Sequence, residues 1–193
     1  MVIDSRLTAA QFGAQKLDLP EGGRWHELHD GKTVLMDPPD DDHGNVVLNI
    51  SRALADWFQD SPDVTTGYAC HEIGLCVASD PDTVYCPAIS FFNTGQQFAE
   101  SDSNVANSVP ALVVDIASAN DRRREMRRRT LGYVELGVKV VWVPDPMKKE
   151  VQIIQSGRHT EALAGRQTVT AGEILPEFEI TVSDVFRQPK WWK

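Results

Sequence analysis

Residues 110–145 constrain the fold more tightly than any other part of this chain. ALVVDIAS, residues 111–118, is an apolar run of strand length that opens after Pro110 and carries one acid, Asp115, near its centre. An arginine-rich segment follows, and its spacing predicts a helix over about Asp121 to Leu136, ended by Gly137. VKVVWVPDP, residues 138–146, is a second apolar strand. Two such strands joined by a helix read as a βαβ-like unit whose strands are covered on both faces.

The N-terminal half reads differently. A helical stretch, Leu7 to Leu17, stops before Pro20-Glu21-Gly22-Gly23. RWHELHDGKTVLMDPP, residues 24–39, predicts a hairpin turning at Asp30-Gly31. Asp40, Asp41 and Asp42 stand at the start of a helix expected from about His43 to Gln59. Its apolar stripe is Val46, Ile50, Leu54 and Trp57/Phe58. Aspartates there suit a helix cap, with metal binding as the other reading. Strands are expected across residues 64–92, around an Asp80-Pro81-Asp82 turn, and a polar loop from Gly95 to Ser108. Lys148 to Ile154 predicts a further strand, and residues 170–186 a short strand with a last helical turn. The fold class that follows is α/β, a mixed β-sheet flanked by helices. A single domain is expected over residues 1–193, with helix and hairpin in 1–39, core in 40–187 and a tail in 188–193.

A net charge of −9 argues against a surface that grips nucleic acid everywhere, because phosphate neutralisation supplies most non-specific affinity. It leaves room for a local basic cleft. Three cysteines without framework spacing suit reduced thiols, no apolar run approaches a membrane span, and the N-terminus has no apolar signal core. A cytoplasmic protein without membrane contact is expected.

Asp115 is the first candidate for chemistry. An ionised carboxylate among apolar neighbours is costly unless a cation or a metal compensates it, so it is a divalent-metal ligand, half of a buried ion pair, or a carboxylate at a strand end. Six arginines follow: Arg122, Arg123, Arg124, Arg127, Arg128 and Arg129. Met126, Arg129 and Tyr133 fall on one helix face, so Arg129 is expected to lean toward the sheet and Asp115, with the other arginines on the solvent side. The run is a solvated face or a positive patch for phosphate, with Arg122 and Arg123 as its contacts. On local pattern alone Glu27 is a surface hairpin residue and His43 a helix-start residue making a local hydrogen bond. Cys70, His71 and Cys76 lack zinc spacing, and there is no phosphate loop, dinucleotide fingerprint or nucleophile elbow.

Four stretches in order carry a resemblance: ELHDGKTVLMDPPDDDHGNVVLNISRAL, YCPAISFFN, PALVVDIASANDRRREMRRRTLGYVELGVKVVWVPDP and LPEFEITVSDVF. Together they resemble the Uma-type restriction endonuclease family, a branch of the PD-(D/E)XK nuclease superfamily. The resemblance implies a restriction-endonuclease-like fold and Mg²⁺-dependent hydrolysis of DNA. It implies catalytic roles for Asp115, which would also hold the metal, for Arg129 at the family's lysine position, and for Glu27. His43 would line the same cleft. Ala88, after Pro87, stands where the family has the aspartate of its Pro-Asp pair. The missing acid and the arginine imply impaired hydrolysis in this chain. The alternatives are a non-catalytic nuclease-fold protein that binds nucleic acid or protein, and a dimerising module. For a homodimer, Trp191 and Trp192 offer an apolar contact surface, though a loose tail is equally compatible.

Overall fold

The computed structural model describes residues 6–60, 67–94, 96, 98–118 and 121–189. The expected contact surface at Trp191 and Trp192, and the start of the strand region at residues 64–66, lie outside them.

The βαβ unit forms as its pattern dictates. Strand β7 (Leu112–Val114) pairs in parallel with β8 (Val140–Asp145), and the connecting helix α3 spans Asp121–Leu136. Gly137, at φ 103°, ends that helix, with its N–H on the Val134 carbonyl and the Val138 N–H on that of Tyr133. Around this pair the chain adds β3 (Tyr68–His71), β6 (Ile89–Phe92), β9 (Glu150–Gln155) and β10 (Glu161–Ala164). The resulting sheet runs β10-β9-β8-β7-β6-β3, and its other pairings are antiparallel. The hairpin β1 (His26–His29) and β2 (Lys32–Leu35) joins β4 (Leu75–Ala78) and β5 (Thr83–Tyr85) in a second sheet, β2-β1-β5-β4. Asp30 and Gly31 both take positive φ at its tip, as a two-residue turn of matching twist requires.

Side-chain alternation divides the large sheet into two packed faces. Leu112, Val114, Val140 and Trp142 face helix α2 (Asp41–Asp60) through Val46, Ile50, Leu54 and Trp57. Val113, Val141 and Val143 face the other way, toward Tyr133 of α3. Asp40 caps α2 by accepting from the His43 N–H at 2.8 Å, so part of the acidic triplet is a cap. The N-terminal helix is shorter than expected. Its regular part, α1 (Ala9–Gln15), is held by a Thr8/Gln11 capping box and tightens into a 3₁₀ turn at Lys16–Asp18. A small pair, β11 (Thr168–Val169) with β12 (Ile180–Thr181), precedes the last helix, α4 (Val182–Val185). The architecture is the mixed α/β sheet flanked by helices expected from the sequence.

Candidate functional site

Asp115 follows β7 on the α3 side of the sheet, where alternation from Val113 places it, and its N–H still bonds the Trp142 carbonyl. Arg129 reaches it from the inward face of α3. The Arg129 Nε donates to Asp115 Oδ2 at 2.6 Å, and its two Nη atoms donate to Glu27 at 2.7 and 3.0 Å. Nη2 also donates to the Tyr133 hydroxyl, which donates in turn to Asp115 Oδ2 at 2.8 Å. Glu27 arrives from β1, in the other sheet. The Cys86 N–H at 2.8 Å and His29 at 3.1 Å hold it further. Asp115, Arg129 and Tyr133 have no exposed surface, and Glu27 is 1% exposed. The Tyr85 ring lies 4.5 Å from the guanidinium carbon, a cation–π contact. Three expected site residues thus meet in one closed network at the seam between the two sheets.

Its electrostatics follow from burial set against charge. Burial pushes the Glu27 carboxyl up, but the Arg129 guanidinium and the hydrogen bonds from His29, Arg129 and Cys86 outweigh it and hold Glu27 at about 2. Burial alone would lower Arg129; Asp115 and Glu27 instead raise it well above the ordinary arginine value. Tyr133 is raised well above the ordinary phenol, by burial first and by Asp115 and Glu27. A guanidinium that stays charged and cannot release its proton near neutrality is a poor substitute for a lysine that handles protons.

The donor set does not fit Mg²⁺. Both Glu27 oxygens and Asp115 Oδ2 already accept hydrogen bonds, which leaves Asp115 Oδ1, buried and without a hydrogen-bond partner. Mg²⁺ asks for one or two carboxylates together with water and substrate, in near-octahedral order. Ala88 is buried in the apolar cluster with Val46 and Ile50, and brings no oxygen on its side chain. Among the described residues no group of three His, Cys, Asp or Glu side chains lies close enough to hold a metal ion.

The remaining expected contacts lie around this network. Arg122, expected toward solvent, is 1% exposed, and its Nη2 donates to Glu72 Oε2 at 3.2 Å. It sits in the first turn of α3, and Glu72 follows the end of β3. Arg123 is bidentate on Asp145, at 2.5 and 2.8 Å. Arg124 pairs with Asp121 and Arg128 with Asp30. Five of the six arginines therefore face a carboxylate of the chain itself, which cancels most of the expected positive patch. His43 is buried, with Nε2 3.8 Å from Glu72 Oε1. Sequence reasoning missed Glu72, His29 and the hydroxyl of Tyr133. Only Tyr133, four residues after Arg129 on the same helix face, left a readable sign.

A mixed sheet between helices, with Glu27, Asp115 and a helix cation converging at its seam, defines an α/β domain of the nuclease type. The solved structure of a "putative nuclease belonging to DUF820" from Anabaena variabilis ATCC 29413 is similar in fold. The TM-score is 0.73 at 19% identity, over 93% of this chain and 97% of that one. A family model, Uma2, described as "Putative restriction endonuclease", matches residues 14–183, and the chain belongs to that family. No curated protein matches it. Among the described residues no helix is long and apolar enough to cross a membrane.

Proposed function

We propose that this chain is a nuclease-fold protein in which phosphodiester hydrolysis at the family's centre is lost, and which acts by binding. The observation that carries this reading is the fully buried Arg129, bridging Glu27 and Asp115 at 2.6 to 3.0 Å. Its guanidinium supplies the positive charge that a divalent metal would otherwise bring to these carboxylates. It offers substrate neither an open coordination position nor a polarised water. Ala88, at the position where the family likeness implies an aspartate, brings no carboxylate. Nucleic acid remains the ligand class that the family points to, and the pairing of the α3 arginines makes a broad electrostatic grip on DNA weak.

Nicking of supercoiled plasmid in Mg²⁺ or Mn²⁺ tests the reading. The native chain is expected to nick no faster than Asp115→Asn, and calorimetric titration with either ion to give no saturable heat. Native nicking that disappears in Asp115→Asn would overturn it. The double variant Ala88→Asp/Arg129→Lys then tests whether these two positions account for the loss.

A further inference from the structure

A second charged cluster stands outside the Arg129 network, at the start of α2 and α3. Glu72, directly after β3, directs its two carboxylate oxygens at two different side chains. Oε2 lies 3.2 Å from Arg122 Nη2, and Oε1 lies 3.8 Å from His43 Nε2. Arg122 and His43 are 1% and 2% exposed, whereas the Glu72 side chain is 30% exposed. Neither ring nitrogen of His43 has a hydrogen-bond partner. Buried polar groups are rarely left so, and each such case calls for an explanation.

We propose that Arg122 and His43 form an oxyanion site for a phosphate group, and that the Glu72 carboxylate is its internal occupant. Arg122 is a donor with no acceptor capacity, and its fixed charge favours an anion and repels a metal ion. The carboxylate serves Arg122 well but stops short of His43, at a distance too long for a hydrogen bond. A phosphate presents more oxygens over a wider tetrahedron, so it can reach both groups and satisfy the Nε2–H as well. Glu72 can vacate the position because its side chain is the exposed member of the three. It also lines a cavity of about 330 Å³ with Lys16, His71, Ser101, Asn104 and a second carboxylate, Glu100; Arg122 and His43 are not on its wall, so the carboxylate of Glu72 is what stands between them and that space. The α2 amide nearest the site, that of His43, is already capped by Asp40, so the donors are these side chains and not a free helix end. The site stands apart from the Arg129 network, so its failure would leave the loss of hydrolysis proposed above untouched.

The test is a titration of the intact chain with inorganic phosphate, followed through the His43 ring resonances by NMR. Saturable movement of those resonances is expected. Glu72→Gln is expected to tighten phosphate binding about tenfold, as befits removal of one competing charge-assisted hydrogen bond. Adding His43→Ala to that variant abolishes the gain. A Glu72→Gln chain that binds phosphate no tighter than the native one, or His43 resonances that do not move, overturns the proposal. Should Glu72→Gln melt by circular dichroism, the native His43 titration decides alone. A nucleoside 5′-monophosphate and an oligonucleotide lacking terminal phosphate then separate the sources. Binding of the first alone assigns the site to a terminal phosphate, and binding of the second to an internal phosphodiester.

Discussion

Arg129→Met isolates the charge at the seam of the two sheets while keeping much of the apolar stem. It removes the hydrogen bonds to Asp115, Glu27 and Tyr133 and leaves two carboxylates in a space without solvent. Removing one partner of a buried ion pair costs about 3–5 kcal/mol. The Glu27 carboxyl is lowered from 4.5 to about 2 as the net of burial against Arg129 and the hydrogen bonds of His29 and Cys86, a shift of the same order at about 1.4 kcal/mol per pH unit. For a chain of this length each kcal/mol moves Tm by about 2–4 °C, so a drop of about 6–20 °C is expected at neutral pH. The pH dependence has a defined sign. Because the folded value of Glu27 is depressed, its stabilisation is complete above about 4.5 and is lost as pH falls toward 2. In Arg129→Met the stranded Glu27 carboxyl takes up a proton, so the difference from the native chain narrows with acidification. Urea unfolding followed by circular dichroism at neutral pH and near pH 4 measures both effects. The triple variant Arg129→Met/Glu27→Gln/Asp115→Asn, which leaves no charge behind, is expected to regain most of the loss. A neutral-pH cost below about 1 kcal/mol, the size of an exposed pair, would refute the reasoning, as would a triple variant no more stable than the single one.

Three further outcomes follow. Asp145→Asn weakens the bidentate contact of Arg123, and two backbone N–H bonds from Met147 and Lys148 lose a charged acceptor; a loss of about 1.5–3 kcal/mol by urea titration is expected. Gly31→Ala puts a methyl 2.6 Å from the Arg6 Cβ at a φ of 78°, and is expected to cost at least about 1–2 kcal/mol in a thermal melt. Burial pushes the Cys86 thiol up to about 11 against the pull of Lys16, so it should react with iodoacetamide at mildly alkaline pH only as fast as the chain unfolds. Labelling of Cys86 at the rate of the half-exposed Cys76 would contradict this.

The parts of the site that were legible are those carried by local pattern. Asp115 stands out because an acid in an apolar strand needs a counter-charge, and Arg129 because it shares a face with Met126 and Tyr133. Both statements use only residues within one βαβ unit. Glu27 was legible as a companion of Asp115 and Arg129 only through the family likeness, because 102 residues separate it from Arg129 and no local pattern links them. The arginine run misled for a related reason. Helical periodicity states which side chains share a face, but not which carboxylates other elements bring to that face. Arg122 is met by Glu72 from just after β3, and Arg123 is held because Asp145 ends the next strand. Glu72 itself lies at an unremarkable Cys-His-Glu, and nothing in its neighbours marks it.

The seam has a consequence during synthesis. Glu27 is in place on the hairpin long before its cation exists, since Arg129 follows 102 residues later. At about 5–20 residues per second, a ribosome leaves that hairpin waiting about 5–20 s for its counter-charge. Until α3 emerges, a hydrated Glu27 holds the inner face of β1 open to water. Closure of this seam between the two sheets therefore cannot precede translation of the arginine helix.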